Sequence, residues 1–289
     1  MKALIFGANG QDGPYVAQAC RTRGIEPLGV SRTGDGLRGD VADYASVEAL
    51  VQEHLPGMIF HLAARSTTSH EALFENHATI STGTLNVLES VYRAGLPARV
   101  FIVGSGVQFL NTGSAISEDT PFAAGSPYAV ARIQSVFAAR YYRALGVRTY
   151  VGYLFHHESP RRSTGHISRD VVDAAARISG GSAEVLEIGD LSTRKEWTFA
   201  GDVAEGVLTL VQQDRVHEAV IGSGETHSIE EWVQECFALR GLDWKRHVRR
   251  AEGFKAEYPV LFSNPGRMRS LGWKPRVTFH ALAAMMSGL

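Results

Sequence analysis

The sequence predicts an α/β fold: a doubly wound parallel sheet followed by a smaller C-terminal lobe. Three observations carry this. Short apolar runs alternate with helical stretches through about residue 155. The first run, Ala3-Leu4-Ile5-Phe6, passes at once into a glycine-rich turn and then a helical stretch. Beyond about residue 155 the alternation loosens into short pieces separated by polar loops. On this reading residues 1–155 form the sheet domain, completed by about 190–222. Residues 156–189 and 223–289 form the lobe.

The elements follow in order. The turn after the first strand reads Gly7-Ala8-Asn9-Gly10-Gln11-Asp12-Gly13, and its helix runs to Arg23 before Gly24. Glycines at this place let a backbone turn tightly and approach a pyrophosphate, and the helix N-terminus offers free N–H groups. The spacing is Gly-x-x-Gly-x-x-Gly, and in the strand–turn–helix setting it reads as dinucleotide binding. The second strand, Glu26 to Val30, ends in Ser31-Arg32. An NAD site commonly has an acidic residue there, whereas a hydroxyl and an arginine suit the 2′-phosphate of NADP(H). Asp35 lies close by and leaves NAD(H) open.

Gly39-Asp40-Val41 leads to a helix over about Tyr44 to His54, and a third strand, Met58 to Leu62, runs into Ala63-Ala64-Arg65. A long helix spans about Ala72 to Ala94. A fourth strand, Arg99 to Gly104, ends on Ser105, and another covers Val147 to Phe155. Ligands in such sheets sit beyond the carboxyl ends of the strands, where Gly7, Ala63 and Ser105 all fall.

Between the last two strands lies Ser126-Pro127-Tyr128-Ala129-Val130-Ala131-Arg132. Ser126 suits a helix N-cap and Pro127 the first helical position. Tyr128 and Arg132, four apart, share a helix face. A phenol beside a fixed cation is an acid/base device, because a neighbouring positive charge favours the ionised phenol.

Later segments give a helix to about Ile178, a short strand over Ala183 to Ile188 and a helix over Gly201 to Gln213. They end with a strand at Ala219 to Gly222, a capping box at Ser228-Ile229-Glu230-Glu231 and a final helix over Phe279 to Met286. His156-His157-Glu158 carries no matching ligand set, so no metal is expected.

Composition narrows the functional classes. The chain has 289 residues, is 44% hydrophobic and has a formal net charge of -1. That balance gives no basis for nucleic-acid or anionic-membrane binding. No apolar run suits a bilayer span. Cys20 and Cys236, far apart, read as reduced thiols of a cytoplasmic protein.

The sequence resembles the extended short-chain dehydrogenase/reductase family, and within it the branch of GDP-mannose 4,6-dehydratases and GDP-4-keto-6-deoxymannose reductases. The resemblance rests on the glycine turn, on His61-Leu62-Ala63-Ala64-Arg65-Ser66, on Gly83-Thr84-Leu85-Asn86 and on Ser126 to Ala131. It continues through His157-Glu158-Ser159-Pro160-Arg161-Arg162, Arg194-Lys195-Glu196-Trp197, Gly224 to Ser228 and Leu271-Gly272-Trp273-Lys274-Pro275. It implies a Rossmann domain, a nicotinamide cofactor and hydride transfer at C4 of a nucleotide sugar, GDP-linked by preference. It also implies a homodimer or homotetramer.

The resemblance implies a site as well. Ser105, Tyr128 and Arg132 are the catalytic set. Cofactor contacts fall to Gly7, Asn9, Gly10, Gln11, Asp12 and Gly13, and to Ser31, Arg32, Asp40 and Val41. Leu62, Ala63, Ala64, Arg65, Val103 and Phe155 join them, as do Tyr128 and Arg132. Substrate contacts fall to Ser66, Ser105, Gly106, Val107 and His156, and to Arg161, Arg169, Arg194 and Lys255.

Four departures shape the expected chemistry. The family's Tyr-x-x-x-Lys reads Tyr128-x-x-x-Arg132, which keeps the charge but replaces a point donor with a planar fork. The dehydratases have a Glu two residues after the strand-end hydroxyl, where this chain has Val107, and valine cannot move a proton. A lysine of the nucleotide-binding helix aligns with Asp170, and an arginine near the diphosphate aligns with Phe254-Lys255. The expected activity is therefore NADP(H)-dependent reduction of the C4 keto group of a (GDP-)4-keto-6-deoxy sugar. The alternatives are a 4,6-dehydratase, epimerase or C4 dehydrogenase with tightly held cofactor, and a catalytically silent cofactor-binding homologue.

Overall fold

The computed structural model describes every residue from Met1 to Leu289 except Asp35 and Lys255. β1 (Lys2–Phe6) leads through the glycine turn into α1 (Gly13–Arg21), then β2 (Glu26–Ser31), β3 (Leu37–Arg38), α2 (Tyr44–His54) and β4 (Met58–His61). After it come α3 (Leu73–Asn76), α4 (Gly83–Ala94), β5 (Arg99–Ser105), α5 (Pro127–Ala144) and β6 (Arg148–Leu154). The chain goes on through β7 (His157–Glu158), α6 (Ile167–Ser179), β8 (Leu186–Ile188), β9 (Arg194–Lys195), β10 (Thr198–Phe199), α7 (Ala200–Val211) and β11 (Glu218–Ile221). It closes with β12 (His227–Ser228), α8 (Ile229–Ala238), β13 (Val248–Arg250), β14 (Val260–Leu261), α9 (Gly266–Ser270) and α10 (Phe279–Ser287).

Seven strands form one parallel sheet in the order β11-β6-β5-β4-β1-β2-β3. The winding reverses between β1 and β4. This is the doubly wound Rossmann arrangement, with helices on both faces burying the sheet's apolar residues. On one face Val47, Val51, Val87, Val91, Val136 and Ala139 pack against the strands from α2, α4 and α5. On the other, Val16, Cys20, Val203, Val207 and Leu210 do so from α1 and α7. A third cluster holds the lobe: Val171 and Ile178 of α6, Trp232 and Phe237 of α8, and Leu282 and Met286 of α10 meet around Trp197. Cys20 and Cys236 are both buried and free.

The caps explain several boundaries. The Ser126 hydroxyl accepts from the Ala129 amide at 3.1 Å and starts α5. The Ser228 and Glu231 side chains cap α8 reciprocally. The helix expected over about Ala72 to Ala94 is interrupted by a π-helical turn at His77–Thr82. There the Ile80 carbonyl takes hydroxyl hydrogen bonds from Thr84 at 2.7 Å and Ser135 at 3.1 Å, which competes with the regular ladder.

Among the described residues no helix is long and apolar enough to cross a membrane. Nor do any three His, Cys, Asp or Glu side chains among them gather as a metal site would need.

Candidate active site

The site grows from the end of β1, beside β4, where the winding reverses. Gly7 has φ +86°, and a Cβ there would stand 2.7 Å from the Ala63 backbone nitrogen. Only glycine satisfies both demands. The Gly7 and Ala8 amides donate to Val30 O at 3.1 and 3.3 Å, which fixes the turn against β2. Gly13 serves a different end. A Cβ on it would lie 2.3 Å from Ala8 O, so its bareness lets α1 press onto the turn. Asp12, the N-cap residue of α1, makes no side-chain cap bond, and the first turn of α1 holds no acidic residue. The helix thus presents open amides to the space above the glycines.

Two connected recesses flank that turn. The smaller is about 240 Å³, the larger about 490 Å³, and Gly7, Gly10, Leu62 and Ala64 wall both. Asn9, Ser31, Arg32, Asp40, Val41, Ala63 and Arg65 line the smaller one. Its rim is braced. Asn9 Nδ2 donates to Ser31 Oγ at 3.0 Å and to Thr33 O at 2.7 Å, and Arg65 pairs with Glu75 at 2.7 Å. Gln11, Asp12, Ser66, Val103, Phe155 and His156 line the larger recess together with Ser105, Gly106, Val107, Tyr128 and Arg132. A trough with bare backbone and helix amides at its waist, and a hydroxyl and an arginine at one end, fits an extended dinucleotide.

The catalytic set stands on β5 and α5. Ser105 ends β5 and opens a tight turn, its hydroxyl accepting from the Gln108 amide while its own amide donates to Gln108 Oε1 at 2.7 Å. Arg132 is only 2% exposed. Its Nη1 donates to Val103 O at 2.8 Å, and the guanidinium carbon lies 5.0 Å from the Tyr128 ring centroid. The cation therefore sits over the ring face, as helix neighbours four apart allow. Its Nε has no partner. Burial, helped by the Arg132 charge, pushes the nearby His61 down to about 4 and keeps it neutral.

The far end of the larger recess is a charged cluster that sequence reasoning largely missed. Glu158, 1% exposed, accepts from His156 Nε2 at 2.8 Å and Arg162 Nε at 2.6 Å. Burial opposes its charge, yet His156 and Arg162 hold it well below the usual carboxylate range. His156 Nδ1 also faces Glu196 O at 2.6 Å. Burial and the Lys195 charge push His156 down to about 4, while Glu158 pulls the other way, and acceptors at both ring nitrogens are satisfied together only by the doubly protonated ring. His157 pairs with Asp12 at 2.9 Å. Burial works against both charges, but each partner favours the other's charged form. Lys195 also lines this end, and burial lowers its pKa to about 8 against the pull of Glu158.

Three expected substrate contacts lie elsewhere. Arg161 points to the α1 side, beside Ala8, Gly13 and Arg21, and its neighbour Arg162 enters the cleft instead. Arg194 is held by Thr226 O at 2.8 Å and by Glu231 at 3.0 Å, and Lys195 is the strand neighbour that faces the cleft. Successive side chains on a strand take opposite sides, so Lys195 lines the cleft and Arg194 does not. Arg169 pairs with Asp173 along α6 at 2.5 Å and does not line the cleft. Lys255, like Asp35, lies outside the described residues.

Comparison with known proteins agrees with this fold. The model of a family described as GDP-mannose 4,6 dehydratase matches residues 4–286. The GDP-mannose 4,6-dehydratase of Sinorhizobium fredii is 30% identical, over 98% of this chain and 95% of that protein. A Pseudomonas aeruginosa structure described as RMD complexed with NADPH superposes with a TM-score of 0.87 at 19% identity, covering 99% of this chain and 96% of its own. The Thermus thermophilus UDP-glucose 4-epimerase complexed with NAD gives 0.84 at 20% identity, covering 100% and 98%. With the match running almost from end to end, this chain belongs to the GDP-mannose 4,6-dehydratase family.

Proposed function

We propose that this chain is an NADP(H)-dependent oxidoreductase that acts at C4 of a GDP-linked sugar, and that its reaction is reduction of a 4-keto-6-deoxy sugar. The observation that carries the reading is a single cleft in which Ser105, Tyr128 and Arg132 meet the glycine turn, while Val107 stands two residues past Ser105. Gly7, Gly10 and the first amides of α1 would hold the cofactor's pyrophosphate, and Ser31 and Arg32 its 2′-phosphate. A bound nicotinamide supplies hydride exchange with a carbon centre.

The chain's own groups do the rest. Tyr128 passes a proton to the oxygen developing at C4. Ser105 orients that oxygen by a hydrogen bond. Arg132, fixed over the Tyr128 ring and on Val103 O, holds the phenol in register. Arg162 and Lys195 face the cleft and suit the diphosphate of the sugar nucleotide. Val107, Tyr258 and Leu261 give the same cleft an apolar wall, which suits a C6 methyl better than a hydroxymethyl.

A second reading is favoured by the comparisons: the family and its relatives are named for 4,6-dehydration. Against it stands the cleft's proton chemistry. Asp12 and Glu158 are engaged with His157, His156 and Arg162, and Val107, two residues past Ser105 where the dehydratases have a Glu, carries no proton; Glu257, the remaining carboxylate among the described residues of the cleft, comes from the loop before β14 and meets Thr68. The two readings separate with two substrates. Purified protein with NADPH and a GDP-4-keto-6-deoxyhexose should oxidise the cofactor, followed by its absorbance. Conversion of GDP-mannose into a 4-keto-6-deoxy product would replace this reading with dehydration. No turnover of either would leave a silent binding protein.

The same proposal includes a homodimer. Leu85 and Tyr92 of α4 and Val130, Phe137 and Tyr141 of α5 are exposed. The charges between them are neutralised within the chain, Glu89 by Arg93 and Arg140 by Glu218. Such a face suits its own copy, and Phe137→Glu should shift the sedimentation of the assembly to the monomer.

A further inference from the structure

A carboxylate faces the end of the cleft that the glycine turn builds. Asp12 lines the larger recess together with Gly7, Gly10 and Gln11, at the N-cap of α1, and its side chain does not cap the helix. Left bare, that carboxylate would repel a pyrophosphate drawn to the open α1 amides. The side chain that meets it comes from β7, on the substrate side of the cleft. His157 Nε2 lies 2.9 Å from Asp12 Oδ1, across 145 positions of sequence.

Geometry sets the charge on His157. Its Nδ1 faces the Phe155 carbonyl at 2.7 Å and its Nε2 faces the carboxylate. Both partners are acceptors, so both ring nitrogens donate and the ring is an imidazolium. Burial opposes that charge, and so does Arg162, but Asp12 outweighs them and holds the ring's pKa above its usual 6.5. Asp12, from the α1 cap, and Arg162, from the loop before α6, are the charged groups that face this ring. Glu158, one residue on, is turned to His156 and Arg162 instead. The backbone at His157 is tied to the same two sides. Gln11 Nε2 of the glycine turn donates to His157 O at 3.2 Å, and Arg162 Nη2 donates to it at 2.6 Å.

We propose that His157 is a positioning residue for the cofactor: its imidazolium neutralises Asp12 beside the glycine turn and ties that turn to β7, so that cofactor affinity follows the charge on this ring. The inference rests on the cofactor reading above. Its sign follows from the pair. While the ring keeps its proton, the charges of Asp12 and His157 cancel and leave a neutral wall beside the turn. As pH rises through the raised pKa the ring loses its proton, Asp12 keeps its charge, and affinity falls. By linkage, binding of the cofactor raises the His157 pKa by the same factor.

The test reads binding and titration, not turnover. NADPH is titrated into the full-length protein by calorimetry between about pH 6 and about pH 9, the range an imidazole of raised pKa spans. Wild-type affinity should fall about tenfold or more across it, the worth of one uncompensated charge near a pyrophosphate. Asp12→Asn, which keeps the shape and removes the charge, should flatten the profile. The cofactor's own 2′-phosphate titrates at about pH 6 in both proteins and drops out of the comparison. His157→Gln, which can still donate to Asp12 but carries no charge, should show at every pH the weak affinity that the wild type reaches at high pH. A brace without an electrostatic role would lower the melting temperature of both variants and leave the shape of the profile alone. Nitrogen-15 NMR of labelled histidine should give His157 a pKa above 6.5 in the free protein and a higher one with NADPH bound. A falling profile that Asp12→Asn reproduces, or a ring pKa that NADPH does not move, overturns the role of His157 and leaves the cofactor reading standing. Absence of NADPH binding in the wild type and both variants overturns the cofactor reading, and this role with it.

Discussion

The two ends of the cleft are built by different means. The glycine-turn end is made mostly of backbone: Gly7 at φ +86°, amides aimed at Val30 O, and bare α1 amides. The charged end is made of side chains from β7, β9 and the loop before α6, brought together over long sequence separations. A backbone-built site is specified within about a dozen residues, because one turn must hold its own geometry. A side-chain-built site depends on which face of each short strand looks inward, and nothing local fixes that.

Substitutions can break this contrast. The largest effect belongs to Tyr128→Phe, which removes the proton and leaves the glycine end whole. Turnover of a 4-keto sugar should fall about 10³-fold, within the usual range for a lost acid/base group. Cofactor affinity, measured by fluorescence titration, should stay as it was. A variant that still turns over within a few-fold would remove Tyr128 from the chemistry. Gly7→Ala should do the reverse, weakening cofactor binding and lowering stability by about 1–3 kcal/mol through backbone strain. A thermal melt unchanged by that substitution would mean the turn relaxes more freely than its 2.7 Å approach to Ala63 allows.

A smaller effect sharpens the contrast at the charged end. Lys195→Ala should raise the KM for the sugar nucleotide about tenfold or more, the worth of a charged hydrogen bond. Arg194→Ala, one residue away but turned onto Thr226 and Glu231, should leave KM nearly unchanged and lower the melting point instead. Equal KM effects from both would show that strand alternation does not decide which cation reads the substrate.

These pairs show why legibility was uneven. The sheet, the glycine turn, the Ser126 cap and the Tyr128–Arg132 pairing follow from periods of 2 and 3.6 and from turn chemistry, all local signals. The π-helical turn was not readable, because it depends on Ser135 of α5 reaching Ile80 O across 55 residues. That Arg162 and Lys195 line the cleft was not readable for a related reason. Each adjoins an arginine of equal chemical promise, and only the tertiary position of Glu158 and Trp197 separates the members of each pair. Val107 was fully readable as a departure, since a missing carboxyl needs no geometry to be noticed.

The mildest and most discriminating effect is the pH dependence at Lys195. Burial lowers its pKa from 10.5 to about 8, so it loses its charge as pH rises through the upper neutral range. Two consequences run in opposite directions. Between about pH 8 and 10.5 the unfolded chain binds the proton that the folded chain has released, so this group's contribution to stability rises with pH. Over the same window an anionic substrate loses its cation, and KM should climb above about pH 8 and level off near the value of Lys195→Ala. The glycine end holds no lysine, and its titrating group is His157, raised by Asp12, so cofactor affinity should not follow the Lys195 profile. Lys195→Arg should flatten the KM profile as well, because a guanidinium keeps its proton. A KM profile that climbs equally in wild type and Lys195→Arg would place the titrating group elsewhere in the cluster. A profile flat in both would mean Lys195 never meets the diphosphate, and the charged end would then be a brace for the lobe alone.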